Sequence, residues 1–282
     1  MSSPTPPSVP PRILTIAGSD SSGGAGIQAD LKTIAMLGGY GMSAITAVTA
    51  QNTEGVQAVE TLEADFVMAQ VDACLDDIGA DGIKIGMLGS PAIAHALAVR
   101  LDSFSGPIVF DPVMIATSGA ALADEATIAG FAELMAIATV VTPNIPELAV
   151  LTGREALSED DIVEAGLELA ARHDVMVLAK GGHAETGDQV LDRVLAPSGK
   201  IASFGHARLD TRHTHGTGCT LSAALATMLA HRLPLTDAVR MARAFTFAAI
   251  ENAPGFGAGH GPSGRAQVGR ARASARPRDR VA

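Results

Sequence analysis

The apolar residues of this 282-residue chain form short runs that alternate with longer segments of helical spacing. Most of the short runs are continuously apolar, which is typical of strands that are buried on both faces of a parallel sheet. The longer segments have about the length that a crossover helix needs. We predict strands at 13–17, 42–50, 82–85, 108–110, 140–142 and 175–179, and helices at 25–37, 64–77, 91–101, 124–136 and 158–173.

The repeated order of strand, helix and strand predicts an α/β fold with a parallel sheet and right-handed crossover connections. Residues 189–209 depart from this order, because short β-like pieces flank a turn at 197–200. We predict a hairpin there that forms an antiparallel edge of the sheet. Two helices, at about 218–231 and 236–252, then close the domain, with Pro234 between them.

The composition fits one large α/β domain or two small ones. Hydrophobic residues make up 47% of the chain and aromatic residues 3%, so the core must consist of Ala, Val, Ile, Leu and Met. No apolar run is long enough to span a bilayer, and residues 1–12 lack the charged start and apolar stretch of a secretory signal. Two cysteines do not make a disulfide framework, which favours a reducing cytoplasm.

The net charge of −10 argues against nucleic acid as a general partner. The charge is uneven, since residues 262–282 hold six Arg and one Asp and leave −15 on the remainder. This basic segment has almost no apolar residues to bury, so we expect a solvated tail, although contact with a nucleic acid or an acidic surface stays open. The predicted organisation is a disordered leader at 1–12, a folded domain at 13–261 and a disordered, dispensable tail at 262–282.

Ligands of open α/β sheets bind beyond the carboxyl ends of the strands. Applied to the predicted strands, this rule selects loops that hold most of the polar and glycine-rich sequence of the chain. The coincidence predicts a binding site at that edge of the sheet. The loops are 18–26, 51–55, 86–89, 111–119, 142–147 and 180–183.

The segment Gly216-Thr217-Gly218-Cys219 leads directly into an apolar helix. Unpaired N–H groups at a helix start form an anion site, and glycines let the backbone approach a phosphate closely. Cys219 lies in the first turn, where the pKa of a thiol is lowered, so it could accept a proton from a hydroxyl that attacks the γ-phosphate of ATP. A turn capped by Thr217, with Cys219 packed as a small apolar side chain, explains these residues equally well.

Asp111 and Glu147 follow two of the predicted strands. Carboxylates at adjacent strand ends suit hydrated Mg²⁺, which proteins hold with few side chains together with water and phosphate. Asn144 could orient the same water shell or a phosphate, and Lys180 could reach a phosphate or the edge of the nucleotide. The alternative for Glu147 is a helix start favoured by the dipole, and for Lys180 it is a solvated turn.

Asp30 lies one turn into the predicted helix that follows the loop 18–26. The loop is rich in small residues, which suggests close backbone packing against a ligand, but it lacks the Lys-Ser/Thr pair of a Walker-type phosphate loop. The Asp30 carboxylate could reach a substrate hydroxyl, or Asp30 could be a solvated helix residue.

Together, these motifs resemble the ribokinase-like superfamily, and most closely its hydroxymethylpyrimidine/phosphomethylpyrimidine kinases of thiamine biosynthesis. Sugar kinases of that superfamily mostly have Asp at the position of Cys219, whereas the Gly-Thr-Gly-Cys-Thr form is typical of its vitamin kinases. The resemblance implies a three-layer α/β/α fold, a mainly parallel central sheet with an antiparallel edge hairpin, and a homodimer. The matching stretches are 13–33, 47–56, 83–88, 109–114, 141–147, 180–183 and 214–225.

The resemblance also implies a reaction, in which ATP phosphorylates 4-amino-5-hydroxymethyl-2-methylpyrimidine and then its monophosphate at one site. Cys219 is the implied base, and the N–H groups of its own turn stabilise the transferred phosphoryl group. Asp111 and Glu147 would position Mg²⁺, whereas Asn144 and Lys180 would serve ATP.

The implied pyrimidine contacts come from the other loops. Gln51 would hydrogen-bond the aminopyrimidine edge, because an amide offers both a donor and an acceptor. Gly18 and Met87 would line the pocket, and Asp30 would bind the hydroxymethyl group.

Two positions depart from the family pattern: His213 stands where Asn is common, and the loop 117–121 lacks a polar residue after its glycine. Both changes leave the core motif intact. A pyridoxine, pyridoxal or pyridoxamine kinase is the nearest alternative, and Gln51 favours the aminopyrimidine over it. A non-catalytic pyrimidine or vitamin sensor on the same fold is a second alternative, although a sensor should have lost the base or the metal carboxylates.

Overall fold

The computed structural model describes residues 9–116, 119–154, 158–183 and 189–268. Helices in these ranges lack the combined length and apolarity that crossing a membrane requires. The strands are β1 (Arg12–Asp20), β2 (Tyr40–Gln51), β3 (Val56–Thr61), β4 (Gly82–Ile85), β5 (Ile108–Phe110), β6 (Val140–Val141), β7 (Met176–Ala179), β8 (Gln189–Ala196) and β9 (Gly199–Ala207). The helices are α1 (Gly26–Met36), α2 (Ala64–Asp77), α3 (Pro91–Leu101), α4 (Glu125–Ile137), α5 (Ile145–Thr152), α6 (Glu159–His173), α7 (Thr217–Ala230) and α8 (Leu235–Glu251).

The strands form one sheet in the order β3-β2-β1-β4-β5-β6-β7-β8-β9. The strands from β2 to β7 in this order run parallel, whereas β3 at one edge and β8 and β9 at the other are antiparallel. The predicted α/β class, the mainly parallel sheet and the edge hairpin are therefore confirmed. The sequence pattern does not predict β3, because its side chains are exposed or half-exposed and form no apolar run.

Helices cover both faces of the sheet, which gives the three layers that the resemblance implied. Helices α2 to α6 pack on one face, where Phe131 contacts the ring of Phe110 edge to face. Helices α1, α7 and α8 pack on the other, which includes Ile34. In β5, Ile108 and Phe110 point to the first face and Val109 to the second. Each such strand needs apolar residues at consecutive positions, which accounts for the continuous apolar runs.

Helix α5 begins where a loop was predicted at 142–147. The Asn144 side chain accepts the Glu147 N–H and the Glu147 carboxylate accepts the Asn144 N–H, each at 2.8 Å, in a capping box. Gly153, with φ of 72°, ends the helix in the left-handed conformation. The alternative interpretation of Glu147 as a helix-start residue is thus correct, and it fixes the side chain next to the site.

The folded region extends beyond both predicted boundaries. Arg12 already belongs to β1, and its backbone N–H and guanidinium both donate to Asp81. At the other end, Ser263 and Arg265 are buried, so the boundary at residue 261 is wrong. The charge pattern predicts solvation there, but Arg265 finds buried oxygen acceptors. Residues 1–8 of the predicted leader and residues 269–282 of the predicted tail lie outside the described residues.

Candidate active site

A cavity of about 600 Å³ opens at the carboxyl ends of the parallel strands. Its walls include the loops after β1, β2, β4, β5, β6 and β7, as the strand-end rule predicts, and the start of α7. Residues of β8, β9 and α8 complete the lining. The cavity brings together every predicted site residue except Asp30. Those residues are Gly18, Gln51, Met87, Asp111, Asn144, Glu147, Lys180, Gly216, Thr217, Gly218 and Cys219.

Helix α7 begins at a position that requires glycine. Gly216 is the N-cap residue with φ of 76°, and a Cβ there would lie 1.9 Å from the carbonyl oxygen of Gly24. No side chain in the described ranges caps the first turn, and the Thr217 hydroxyl instead donates to the Thr214 carbonyl at 2.6 Å. The positive end of the helix dipole therefore faces the cavity at Gly218, which makes an anion site.

The Cys219 thiol is free and lines the cavity in the first turn of α7. Burial raises its pKa above the ordinary value, and the Lys84 ammonium and the Gly26 backbone N–H oppose this effect. The loss of solvent therefore acts against the lowering of this pKa that the helix start was expected to give. A thiolate at this position depends on a neighbouring cation, and Lys84 supplies one.

Lys84 forms an ion pair with Asp30 in which neither side chain is exposed, and Nζ lies 2.8 Å from Oδ2. The Thr15 hydroxyl donates to the same carboxylate oxygen at 2.6 Å. Asp30 is fully buried, so its interpretation as a solvated helix residue is wrong, and it does not line the cavity in which it was expected to bind a substrate hydroxyl. Burial alone would lower the pKa of Lys84, but the charges of Asp30, Cys219 and Asp111 keep it above its ordinary value.

Lys84 is not among the residues predicted from the sequence, although one feature of the sequence points to it. Lys84 is the only charged residue in the otherwise apolar strand 82–85. A charge buried in a sheet must be paired, so an isolated lysine in such a strand indicates either a buried partner or a site. Here both are true, since Lys84 also reaches the cavity wall.

A second lysine bridges the two predicted metal carboxylates. Lys180 Nζ lies 2.8 Å from Asp111 Oδ1 and 3.8 Å from Glu147 Oε2. Burial alone would raise the pKa of Asp111, but Lys180, Lys84 and the Thr142 hydroxyl hold it below its ordinary value. Burial raises the pKa of Glu147 to about 7, against the opposing charge of Lys180 and with the help of the Asp111 charge.

The donors in this part of the cavity suit a hydrated Mg²⁺ better than a metal held by the protein alone. Among the described residues, no group of three or more His, Cys, Asp and Glu side chains could hold a metal ion. Asp111 and Glu147 offer two carboxylates to the cavity, so a cation there would keep water and phosphate oxygens as its other ligands. Asn144 Oδ1 is engaged in capping α5, which leaves the amide nitrogen to contact a ligand.

The predicted pyrimidine residues gather at the ends of β1, β2 and β4. The Gly18 N–H donates to the Met87 carbonyl at 3.2 Å, and a Cβ on Gly18 would lie 3.1 Å from the Met87 sulfur. The Gln51 amide oxygen accepts from the Thr49 hydroxyl at 3.1 Å, and its nitrogen lies 3.4 Å from His215 Nε2. A thioether and an amide that border the same cavity suit a flat ring with polar edges.

His215 and Asp20 are buried cavity residues to which the sequence analysis assigned no role. His215 Nε2 lies 2.9 Å from Asp20 Oδ2, and the same oxygen accepts the N–H groups of Gly24 and Ala25 at 2.9 and 2.7 Å. Burial alone would raise the pKa of Asp20, but His215, Ser22 and the Ala25 N–H lower it to about 2. Asp20 thus holds the loop 18–26 and the imidazole together. The two residues are 195 positions apart, so the local sequence around either one does not predict their contact.

Comparison with known proteins adds an independent finding. A family model described as phosphomethylpyrimidine kinase matches residues 20–264. The chain belongs to this family. A hydroxymethylpyrimidine/phosphomethylpyrimidine kinase of Rhizobium meliloti is 46% identical over 253 residues, which cover 88% of this chain and 94% of that protein. The family predicted from the motifs is thereby confirmed.

Solved structures support the same fold. A phosphomethylpyrimidine kinase from Clostridium difficile has a TM-score of 0.73 at 40% identity and covers 85% of this chain and 99% of its own. A pyridoxal kinase from Staphylococcus aureus in complex with ADP has a TM-score of 0.83 at 33% identity and covers 91% and 93%. Other relatives are multifunctional or bifunctional thiamine biosynthesis proteins named ThiED, and the chain spans only 34%, 51% and 33% of the length of three of them.

Proposed function

We propose that this chain transfers the γ-phosphoryl group of ATP to 4-amino-5-hydroxymethyl-2-methylpyrimidine, and then to the resulting monophosphate, for thiamine biosynthesis. The observation that carries the proposal is a single cavity that joins the uncapped start of α7 to the pocket at Gln51 and Met87. The family and the names of its members support the same reaction. Fold alone would not, since related folds carry different activities.

In the proposed reaction, the substrate hydroxyl oxygen bonds to the γ-phosphorus as the bond from that phosphorus to the β–γ bridging oxygen breaks, and ADP leaves. The hydroxyl proton passes to the Cys219 sulfur, which must be a thiolate at that moment. Lys84 supplies the charge that favours the thiolate. The N–H groups at the start of α7 donate to the phosphoryl oxygens, where charge develops during transfer.

We propose that Lys180 and the cavity residues around it bind the nucleotide. Lys180 would pair with the phosphates of ATP, and the Asn144 amide would contact them from the start of α5. Mg²⁺, held through water by Asp111 and Glu147, would neutralise phosphate charge. The support for these roles is that all four side chains line the same cavity as Gly218.

A pyridoxal kinase is the second candidate, because the Staphylococcus aureus pyridoxal kinase has a TM-score of 0.83. The feature that separates the two is Gln51, whose amide can satisfy both the amino group and the ring nitrogen of an aminopyrimidine. Met87 and Gly18 would accept either flat ring.

A product assay with hydroxymethylpyrimidine, ATP and Mg²⁺, which resolves monophosphate from diphosphate, tests the proposal. We expect both products, and a kcat/KM that is far larger for hydroxymethylpyrimidine than for pyridoxal. Gln51→Leu should lower that kcat/KM by about 10-fold to 100-fold, as the loss of one or two hydrogen bonds predicts, and affect pyridoxal less. A preference for pyridoxal would favour the second candidate, and tight pyrimidine binding without product would indicate a sensor.

We further propose that the protein is a cytoplasmic homodimer. A reducing compartment suits the free Cys219 thiol. The antiparallel edge formed by β2 and β3 exposes Val48 and Val59 to solvent, and a second copy of the chain could cover them. Light scattering of the purified chain should give twice the monomer mass of 28.6 kDa, and Val59→Lys should shift it toward the monomer. A monomeric wild-type chain would contradict the proposal.

A further inference from the structure

Residues 261–268 connect the end of α8 to the phosphate end of the site. The His215 N–H donates to the Gly261 carbonyl at 3.2 Å, and the Gly264 N–H donates to the Ala249 carbonyl of α8 at 2.7 Å. Arg265 follows this anchored stretch and begins a short 3₁₀ turn, with only 3% of the residue exposed. A cation buried to this degree requires acceptors close by.

The Arg265 guanidinium meets this need with three oxygen atoms, one from the loop 18–26 and two from the start of α7. Nη2 donates to the carbonyl oxygens of Gly24 at 2.8 Å and Gly216 at 3.0 Å, and Nε donates to Thr220 Oγ1 at 2.7 Å. The Thr220 hydroxyl in turn donates to the Gly216 carbonyl at 2.7 Å. A planar guanidinium is well suited to bridge several acceptors in one fixed geometry.

These acceptors lie where the anion site is built. Gly216 is the N-cap residue of α7, so the direction of its carbonyl sets the direction in which the first helical turn starts. Gly216 also packs directly on Gly24, since a Cβ at Gly216 would lie 1.9 Å from the Gly24 oxygen and 2.6 Å from Arg265 Nη2. A cation near a helix N-terminus is unfavourable with respect to the dipole, so the three hydrogen bonds must offset that cost.

Arg265 does not line the cavity, and its contacts are with the backbone and with Thr220. We propose that Arg265 is a positioning residue for phosphoryl transfer, which ties the loop 18–26 to the start of α7 and so holds the N–H groups there toward the transferred phosphoryl group. This proposal rests on the kinase reaction proposed above. It also reverses, for residues 262–268, the expectation that the basic tail is dispensable.

The test compares Arg265→Gln and Arg265→Lys with Arg240→Gln, a control in which an exposed arginine of α8 loses its surface pair with Asp237. We expect kcat to fall about 10-fold to 100-fold in Arg265→Gln, as the loss of one or two charge-assisted hydrogen bonds predicts, while pyrimidine binding changes little. Arg265→Lys should be intermediate, because an ammonium keeps the charge but cannot bridge three acceptors. Hydrogen exchange of the backbone amides at 216–220 should rise in the same order, and Arg240→Gln should match the wild type.

Wild-type kcat in both Arg265 variants would overturn the proposal, and so would unchanged hydrogen exchange at 216–220. If Arg265→Gln does not fold, Arg265→Lys decides, since it keeps a buried cation. A wild-type chain that makes no phosphorylated pyrimidine would overturn the proposed function instead. The exchange measurement needs no turnover, so it would still show whether Arg265 orders the start of α7.

Discussion

Two buried lysine–aspartate pairs border the site, and they are built alike but exposed differently. The distance from Nζ to the carboxylate oxygen is 2.8 Å in both. The Lys84–Asp30 pair is sealed from solvent, whereas the Lys180 side chain is 13% exposed and has Glu147 as a second partner. A pair with no exposed side-chain atoms fixes a charge near the thiol, whereas a partly exposed lysine can leave its carboxylate and pair with a phosphate. The two ion pairs are of the same kind, so their different exposure decides which lysine only supplies charge and which can contact a ligand.

The largest expected effect is at Cys219, the thiol whose charge interacts with both lysines. Cys219→Ala should lower kcat by about 10²-fold to 10⁴-fold, the range for loss of a general base, and leave pyrimidine binding almost unchanged. Steady-state kinetics with calorimetric binding measures both quantities. Cys219→Ser is the size-matched control and should keep part of the activity. Near-normal turnover of Cys219→Ala would remove the thiol as the base.

The next largest effect is a loss of stability when the buried Lys84–Asp30 pair is broken. Lys84→Met leaves the Asp30 carboxylate buried without its cation, and Asp30 Oδ1 already lacks a partner among the described residues. Breaking a buried pair in this way should lower the free energy of unfolding by about 3–5 kcal/mol, measured by urea denaturation. The double variant Lys84→Met/Asp30→Asn should recover most of the loss. Equal stability of the single variant and the wild type would mean that the pair is not an ion pair.

Substitution of Lys180, in the partly exposed pair with Asp111, should affect ATP binding more than the stability of the fold. Lys180→Met should raise the KM for ATP by about 10-fold to 100-fold, as the loss of a charge-assisted contact predicts, and destabilise the fold less than Lys84→Met does. Lys200→Met, on the exposed hairpin strand β9, is the control and should leave the KM unchanged. If Lys180→Met were destabilised as much as Lys84→Met, the contrast between the two pairs would fail.

The smallest effect is the pH dependence that Glu147 adds. Its pKa rises from an ordinary 4.5 to about 7 on folding, so the folded state binds more protons than the unfolded state between these values. The contribution of Glu147 to stability is therefore greatest below pH 4.5 and is lost as the pH rises through 7. Urea denaturation at pH 5 and pH 8 should show this decline in the wild type and a weaker one in Glu147→Gln. Equal declines in both chains would place the titration elsewhere.

The fold was predictable wherever apolar side chains leave a local pattern. Helices α2 and α3 match their predicted bounds, because apolar residues recur at helical spacing through most of each helix. Strand β3 leaves no such pattern, since it lies exposed at the edge, and α5 is only eight residues long. The capping signals of α5 are present in Asn144 and Glu147, yet the same residues also fit a ligand loop.

The site was predictable as a set of loops but not as a set of contacts. The strand-end rule brings Asp111, Glu147 and Lys180 together because parallel strands end at one edge. It cannot show that Asp30 faces inward to Lys84, because that depends on how α1 packs on the sheet. Pairs that join distant parts of the chain, such as Arg265 with Gly24, leave no mark in either local sequence.

Because Arg265 lies near the end of the chain, the active site can be completed only late in synthesis. Gly24 and Arg265 are 241 positions apart, so the ribosome adds the arginine on the order of 10–50 s after the glycine. By then every strand of the sheet has been made, and most of the core can already be packed. A nascent chain that stalls just before Arg265 would therefore contain the complete sheet and yet lack the residue that ties the loop 18–26 to the start of α7.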